Sequence, residues 1–168
     1  FQDIKGVKIA SKYGSGDSMG GEFLDSFFNG NLGFIFMSST SSFLASSSFI
    51  ELFSRFKADS KVSMDEICVF LDEVKSEYKK LNNNKVRADI FIAKVDVTDF
   101  TVQGYAFGNF SVISHDGTKK LSIANNISDL NETAFFNLKL SAGARFIISS
   151  PGFSHNWQNT SPEVLIEK

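Results

Sequence analysis

Two helical patterns that follow one another directly constrain the fold of this chain more than any other feature. The first predicted helix runs from about Ser41 to Lys57, and the second covers about residues 63–82. Ser63 and Glu66 form a capping box at the start of the second helix. Its apolar residues then recur along a single stripe: Ile67, Phe70, Leu71, Val74, Tyr78 and Leu81. Because both apolar faces must be buried against another layer, the pair predicts two adjacent amphipathic helices packed on a sheet.

Segments of alternating or continuous apolar residues stand on both sides of the helix pair and predict strands. Three precede it, near residues 7–13, 21–28 and 32–37, and about six follow, up to about residue 150. Short turns such as HDGT join several of them into hairpins, which are antiparallel. Helices that stay together in sequence favour α+β layering over a doubly wound parallel sheet. We therefore predict an α+β layered sandwich of mainly antiparallel sheets.

Length, charge and cysteine content narrow the classes of function. The chain has 168 residues, which predicts a single domain over residues 1–168. A net charge of -2 without a long basic block argues against nucleic acid as a partner. The single cysteine, Cys68, excludes an internal disulfide and is expected to pack beside the apolar stripe. Since no apolar run is long enough to span a membrane, we expect no membrane insertion and a cytoplasmic protein.

Three segments carry a resemblance to a known family. They read MGGEFLDSFFNGNLGFIF at residues 19–36, GYAFGNFSVISHDG at 104–117 and SAGARFIISSPGFSHN at 141–156. In this order they resemble the SpoIIE/RsbU branch of the PPM-type protein serine/threonine phosphatases, bacterial relatives of protein phosphatase 2C. The resemblance covers most of the chain and implies the PPM-type sandwich fold. It also implies a chemistry in which two manganese or magnesium ions, held by carboxylates, assist hydrolysis of a phosphoserine or phosphothreonine ester.

The family's metal-site motifs are degenerate in this sequence. Glu22 stands at the aspartate of the family's GGD motif, and Met37 stands at the aspartate of DVSGHG. Pro151 stands at the aspartate of TDG, whose glycine is kept as Gly152. The two glycines of DVSGHG are replaced here by Thr40 and Ser42. Methionine is a poor ligand for hard cations and proline offers no side-chain donor, so two of the three central carboxylates are missing.

Several residues at these positions have more than one interpretation. Glu22 and Asp25 could bind one residual ion, or they could be strand-end or surface acids. The Ser/Thr-rich loop before the first helix could hold a phosphate on its backbone N–H groups, or it could simply cap the helix. Ser150 would need a general base and an orienting third group to act as a nucleophile, and the sequence indicates neither.

We therefore predict a catalytically inactive phosphatase-like module, a pseudophosphatase, that needs no cofactor and acts by binding protein. The alternative is an atypical protein serine/threonine phosphatase that uses manganese or magnesium and acts on a phosphorylated regulator. The resemblance implies the C-terminal output domain of a longer bacterial signalling protein. It also implies a partner such as an anti-sigma antagonist, another sigma-pathway regulator or an upstream sensory domain.

The first predicted helix supplies the predicted partner surface. Large apolar residues cover well over half of its circumference, which is more than one buried stripe requires. We predict that Phe49, Leu52 and Phe56 face a protein partner or a second copy of the chain in a homodimer. The alternative is that the helix lies between two layers and is fully buried.

Overall fold

The computed structural model describes residues 21–82, 86–114, 120–124, 134–141 and 143–150. The predicted strand at residues 7–13 and the site positions Pro151 and Gly152 lie outside these ranges. Within them the elements follow in the order β1 (Gly21–Asn29), β2 (Leu32–Thr40), α1 (Phe43–Asp59), α2 (Met64–Asn82), β3 (Ala88–Asp96), β4 (Thr101–Phe107), β5 (Asn109–Ser114), β6 (Lys120–Ala124), β7 (Ala134–Lys139) and β8 (Phe146–Ser149). Neither helix in the described part of the chain is both long enough and apolar enough to cross a bilayer.

The strands form two antiparallel sheets. Within the described ranges the first has five strands in the order β1-β2-β3-β4-β7, and the second has three in the order β6-β5-β8. Every pairing between these described strands is antiparallel. The described residues from 86 to 150 contain strands and no third helix. The predicted α+β class, with two adjacent helices and mainly antiparallel sheets, is confirmed.

The β1–β2 hairpin shows how a local turn fixes the register of the sheet. Its strands pair from Asn29 opposite Leu32 to Gly21 opposite Thr40. Gly30, in the turn, has a φ of 61°, a left-handed conformation that glycine adopts without a steric penalty. The NGN turn signal therefore determines which side chains of β1 and β2 share a face.

The two helices cover one face of the five-stranded sheet with a largely aromatic core. Phe34 and Phe36 of β2 are fully buried beneath α1 and α2. The ring of Phe53 in α1 stacks on both, with centroid distances of 6.0 Å to Phe34 and 5.5 Å to Phe36. Phe70 of α2 meets Phe36 edge-on at 5.3 Å. Much of the chain's high phenylalanine content is used in this layer, where each ring buries a large apolar area.

The junction between the helices is held by the predicted capping box. The backbone N–H of Glu66 donates to Ser63 Oγ at 3.2 Å, and the N–H of Ser63 donates to Glu66 Oε2 at 2.9 Å. The N–H of Lys61 also donates to the Glu66 carboxylate. These backbone hydrogen bonds lower the pKa of Glu66, and the one from the Ser63 N–H has the largest effect. The carboxylate thereby fixes a turn in which the buried Val62 adopts a φ of 59°, a conformation that is rare for a β-branched residue.

The opposite face of the five-stranded sheet packs on the three-stranded sheet. The core between the sheets is built around Phe91, Phe110 and Phe136, and the rings of Phe91 and Phe136 stack at 5.2 Å. Half-buried residues from both sheets complete it, among them Met37 of β2 and Ile148 of β8. The described residues thus form a helix layer, a five-stranded sheet and a three-stranded sheet, in that order.

The predicted partner surface on α1 is wrong for the residues that were assigned to it. Phe49 and Leu52 belong to the core beneath the helices, and Phe56 is half-buried with its ring 4.6 Å from that of Phe34. The apolar face of α1 is broad because the helix contacts both the sheet and α2. The exposed large apolar residues of α1 are instead Phe43, Leu44 and Ile50.

The expectation that Cys68 is a packing residue is also wrong. Cys68 is exposed, and its Sγ lies 3.5 Å from the hydroxyl of Tyr105 on β4. This contact, together with partial burial, raises the pKa of Tyr105.

Candidate functional site

The positions that resemble the family's metal site lie where β1 begins and β2 ends. Glu22 is opposite Ser39, and Leu24 is opposite Met37. Residues directly opposite each other in antiparallel strands point to the same face of the sheet, as do alternate residues along one strand. Glu22, Met37 and Ser39 therefore share one face. Because Met37 packs in the core between the sheets, this is the face that looks toward the three-stranded sheet.

Glu22 makes a hydrogen bond across the gap between the sheets. Ser150, which directly follows β8, donates from Oγ to Glu22 Oε1 at 2.9 Å. Both side chains are half-buried. The structure thus brings together the segments that resemble the family's GGD and TDG motifs, but a hydroxyl now contacts the remaining carboxylate.

Asp25 is not part of this site. It lies three residues after Glu22 on the same strand, so its side chain projects from the opposite face. There it forms an ion pair with Lys57 of α1, with 2.9 Å between Nζ and Oδ2. Of the two interpretations of Glu22 and Asp25, joint binding of one ion does not agree with the structure, because the alternation of strand side chains separates them.

Met37 occupies an apolar environment. It is half-buried against the inter-sheet core that contains Phe91 and Ala93. Its thioether contributes to packing here, where a carboxylate would have to lose much of its hydration.

The Ser/Thr-rich loop after β2 works as a helix cap. Ser42 is the N-cap of α1, and its Oγ accepts a hydrogen bond from the backbone N–H of Ala45 at 3.4 Å. Thr40 Oγ1 donates to the Ser42 carbonyl oxygen at 2.7 Å and accepts from the Ser42 N–H at 3.3 Å. Of the two interpretations of this loop, the structure supports the cap, because the hydroxyls satisfy backbone groups of the loop and the first helical turn.

Asp89 is a second acidic residue on the site face, and the sequence analysis missed it. It lies on β3 opposite Ser39 and is 4% exposed. Its Oδ2 lies 3.3 Å from Arg87 Nε. Gly108, with a φ of 85°, leaves the space that the Asp89 carboxylate fills. The signal that could have revealed it is the acid at the second position of ADIFIA, an otherwise apolar strand sequence.

The described residues do not fit a two-ion centre. No group of three or more His, Cys, Asp or Glu side chains converges anywhere in the described ranges. Glu22 and Asp89 lie on strands two spacings apart, which separates their backbones by about 10 Å. Glu22 is also hydrogen-bonded to Ser150, and Asp89 is paired with Arg87. The positions of Pro151 and Gly152 lie outside the described residues.

The sequence matches no family model and no curated protein, whereas solved structures match the fold. A Stage II Sporulation E family protein from Thermanaerovibrio acidaminovorans is 14% identical and superposes with a TM-score of 0.59, over 77% of this chain and 79% of its own. RsbX in complex with magnesium is 15% identical, with a TM-score of 0.56, over 82% of this chain and 69% of its own.

A structure of the SpoIIE PP2C phosphatase domain with a fragment of its regulatory domain, from Bacillus subtilis, is 15% identical. It gives a TM-score of 0.60 over 88% of this chain and 46% of its own. At identities this low the likeness concerns the fold, and it agrees with the two antiparallel sheets and the adjacent helix pair described above. The chain therefore has the fold of the SpoIIE-like PPM-type phosphatases.

Proposed function

We propose that this chain is a phosphatase-like module that does not hydrolyse phosphoesters and acts by binding protein in bacterial signal transduction. The observation that carries the first part concerns two of the family's three central aspartate positions, those at Glu22 and Met37, which lie within the described residues. Met37 packs in the inter-sheet core, and Glu22 is hydrogen-bonded to Ser150. Hydrolysis by this fold type relies on several carboxylates that hold two cations, and Met37 supplies none, so at most one of these two positions offers a carboxylate ligand.

An activity assay tests this part of the proposal. The full chain is incubated with p-nitrophenyl phosphate or a phosphoserine peptide and manganese or magnesium, beside a SpoIIE phosphatase domain as the active control. We expect turnover at the background rate. Turnover above background that disappears in Glu22→Ala would instead support the alternative, an atypical metal-dependent phosphatase that acts on a phosphorylated regulator.

Exposed apolar side chains at the start of α1 support the protein-binding part of the proposal. Phe43 is 83% exposed and its neighbour Leu44 is 62% exposed. Large apolar residues that stand together at a surface are typical of protein interfaces. We propose a cytoplasmic setting and a partner of the class that the family resemblance implies: an anti-sigma antagonist, another sigma-pathway regulator or an upstream sensory domain.

A matched pair of variants tests the binding surface. Phe43→Asp changes an exposed residue of α1, and Val69→Asp changes a residue of α2 that is 60% exposed. Both should leave the melting temperature nearly unchanged, because neither side chain is in the core. Binding of the anti-sigma antagonist from the same organism, and self-association by analytical ultracentrifugation, should weaken in Phe43→Asp alone. Equal effects of the two variants would contradict a role for the start of α1.

A further inference from the structure

The hydrogen bond between Glu22 and Ser150 joins the two sheets at one end of the sandwich. It links the second residue of β1 to the residue that directly follows β8, across 128 positions of sequence. A hydroxyl that donates to a carboxylate makes a stronger hydrogen bond than a neutral pair does, and partial burial limits competition from water. We infer that Glu22 and Ser150 form a latch between the sheets, in which Glu22 positions Ser150 at the C-terminal end of β8.

Among the described strands, β8 is short and has one strand partner. It is four residues long, and its described strand partner is β5, which it pairs from Ser111 opposite Ser149 to Ser114 opposite Phe146. Within the described part of the chain it lies at the edge of the three-stranded sheet. Its side chains are half-buried, and Phe146 and Ile148 pack against the inter-sheet core. A short strand whose side chains are only half-buried opens at a smaller free-energy cost than a central strand unless a further interaction holds it. The latch supplies such an interaction at the C-terminal end of β8.

The other end of the latch is firmly fixed. Glu22 stands in the nine-residue β1–β2 pairing, directly after Gly21. A Cβ at Gly21 would lie 2.6 Å from Ser46 Cβ and 2.7 Å from Thr40 Oγ1, so the backbone there is packed closely against the start of α1. Thr40 is itself bonded to the Ser42 backbone at the cap of α1. The latch therefore joins β8, a short strand of the three-stranded sheet, to the closely packed start of β1 in the five-stranded sheet.

Amide hydrogen exchange measured on the full chain by mass spectrometry tests the latch. Ser150→Ala and Glu22→Ala each remove the same hydrogen bond, so each should speed exchange in β8 about tenfold, which corresponds to about 1.4 kcal/mol. The double variant should be no faster than either single one. Exchange in β6, on the far side of β5, should not change. Glu22→Gln keeps a carbonyl oxygen as acceptor and should retain most of the protection.

Several outcomes would overturn the inference. One is an amide exchange rate in β8 that does not change in Ser150→Ala. Another is a double variant whose exchange rate in β8 rises by the product of the two factors seen in the single variants. If Glu22→Ala does not fold, Ser150→Thr serves in its place. Threonine keeps the hydroxyl, so the amides of β8 should exchange at the wild-type rate in this variant. A rate as fast as that of Ser150→Ala would count against the latch.

Manganese supplies an independent check. The latch predicts that manganese leaves exchange in β8 unchanged, because in the described ranges Glu22 does not belong to a group of three or more side chains that could hold an ion. Slower exchange with manganese in the wild type but not in Glu22→Ala would show that Glu22 holds an ion instead. The inference concerns how the sheets are joined, so a lack of phosphatase activity would neither support nor weaken it.

Discussion

Restoring the missing acid at position 37 should weaken the fold. Met37 is half-buried in the inter-sheet core, so Met37→Asp gives up about 1 kcal/mol of apolar burial. The new carboxylate also loses hydration there and lies diagonally across from Glu22, a like charge roughly 7–8 Å away. Partial burial and the like charge both raise the pKa of the new carboxyl group, and the buried charge adds about 1–3 kcal/mol at pH 7. We expect a total loss of about 2–4 kcal/mol in the free energy of unfolding.

Urea denaturation of Met37→Asp beside Met37→Leu measures this loss. Leucine has a similar volume and should cost less than about 1.5 kcal/mol. An acid whose folded pKa is raised destabilises the protein fully above that pKa and not at all below its unfolded value of about 3.9. The difference in the free energy of unfolding between Met37→Asp and Met37→Leu should therefore become smaller as the pH falls from 7 toward 4. Equal free energies of unfolding of the two variants at pH 7 would refute the reasoning. So would an increase in the stability of Met37→Asp to that of Met37→Leu when manganese is added.

The remaining predictions concern the helix layer and the sheet beneath it. Glu66→Gln keeps a carbonyl oxygen for the capping box but loses the charge. It should lose about 0.5–1 kcal/mol at pH 7 by urea denaturation, because hydrogen bonds to a charged acceptor are stronger and a negative charge at a helix N-terminus is stabilising. Because the hydrogen bonds lower the folded pKa of Glu66 below its ordinary 4.5, this advantage of the wild type is complete above that value. It should disappear as the pH falls through the folded pKa, and a pH-independent gap would contradict it. Ser38 Oγ is buried and has no hydrogen-bond partner within the described part of the chain, so Ser38→Ala should be neutral or stabilising by up to about 1 kcal/mol. Phe53→Ala should destabilise by about 3–5 kcal/mol, since the ring stacks on two buried phenylalanines, and a loss below about 1 kcal/mol would contradict that packing.

Local patterns in the sequence predicted the elements well. The capping box of Ser63 and Glu66 and the apolar stripe that follows it marked α2, and the observed helix begins at Met64. The β1–β2 hairpin followed from its turn residues and apolar pattern. These features depend on residues only a few positions apart, where backbone geometry and capping chemistry act directly.

The site was harder to predict because its contacts are non-local. The hydrogen bond from Ser150 to Glu22 spans 128 residues and depends on how the two sheets pack. The burial of Phe49 depends on α1 contacting both the sheet and α2, which the helical pattern alone does not specify. Strand alternation, by contrast, could have separated Glu22 from Asp25 at the level of the sequence, since residues three apart on a strand point to opposite faces.

Manganese titration by isothermal calorimetry tests most directly whether this phosphatase fold lacks its two-ion chemistry. The full chain and Glu22→Ala are titrated under the same conditions, with a SpoIIE phosphatase domain as the positive control. The account predicts no micromolar binding by the wild type and no difference between the wild type and Glu22→Ala. Micromolar binding by the wild type that disappears in Glu22→Ala would contradict it.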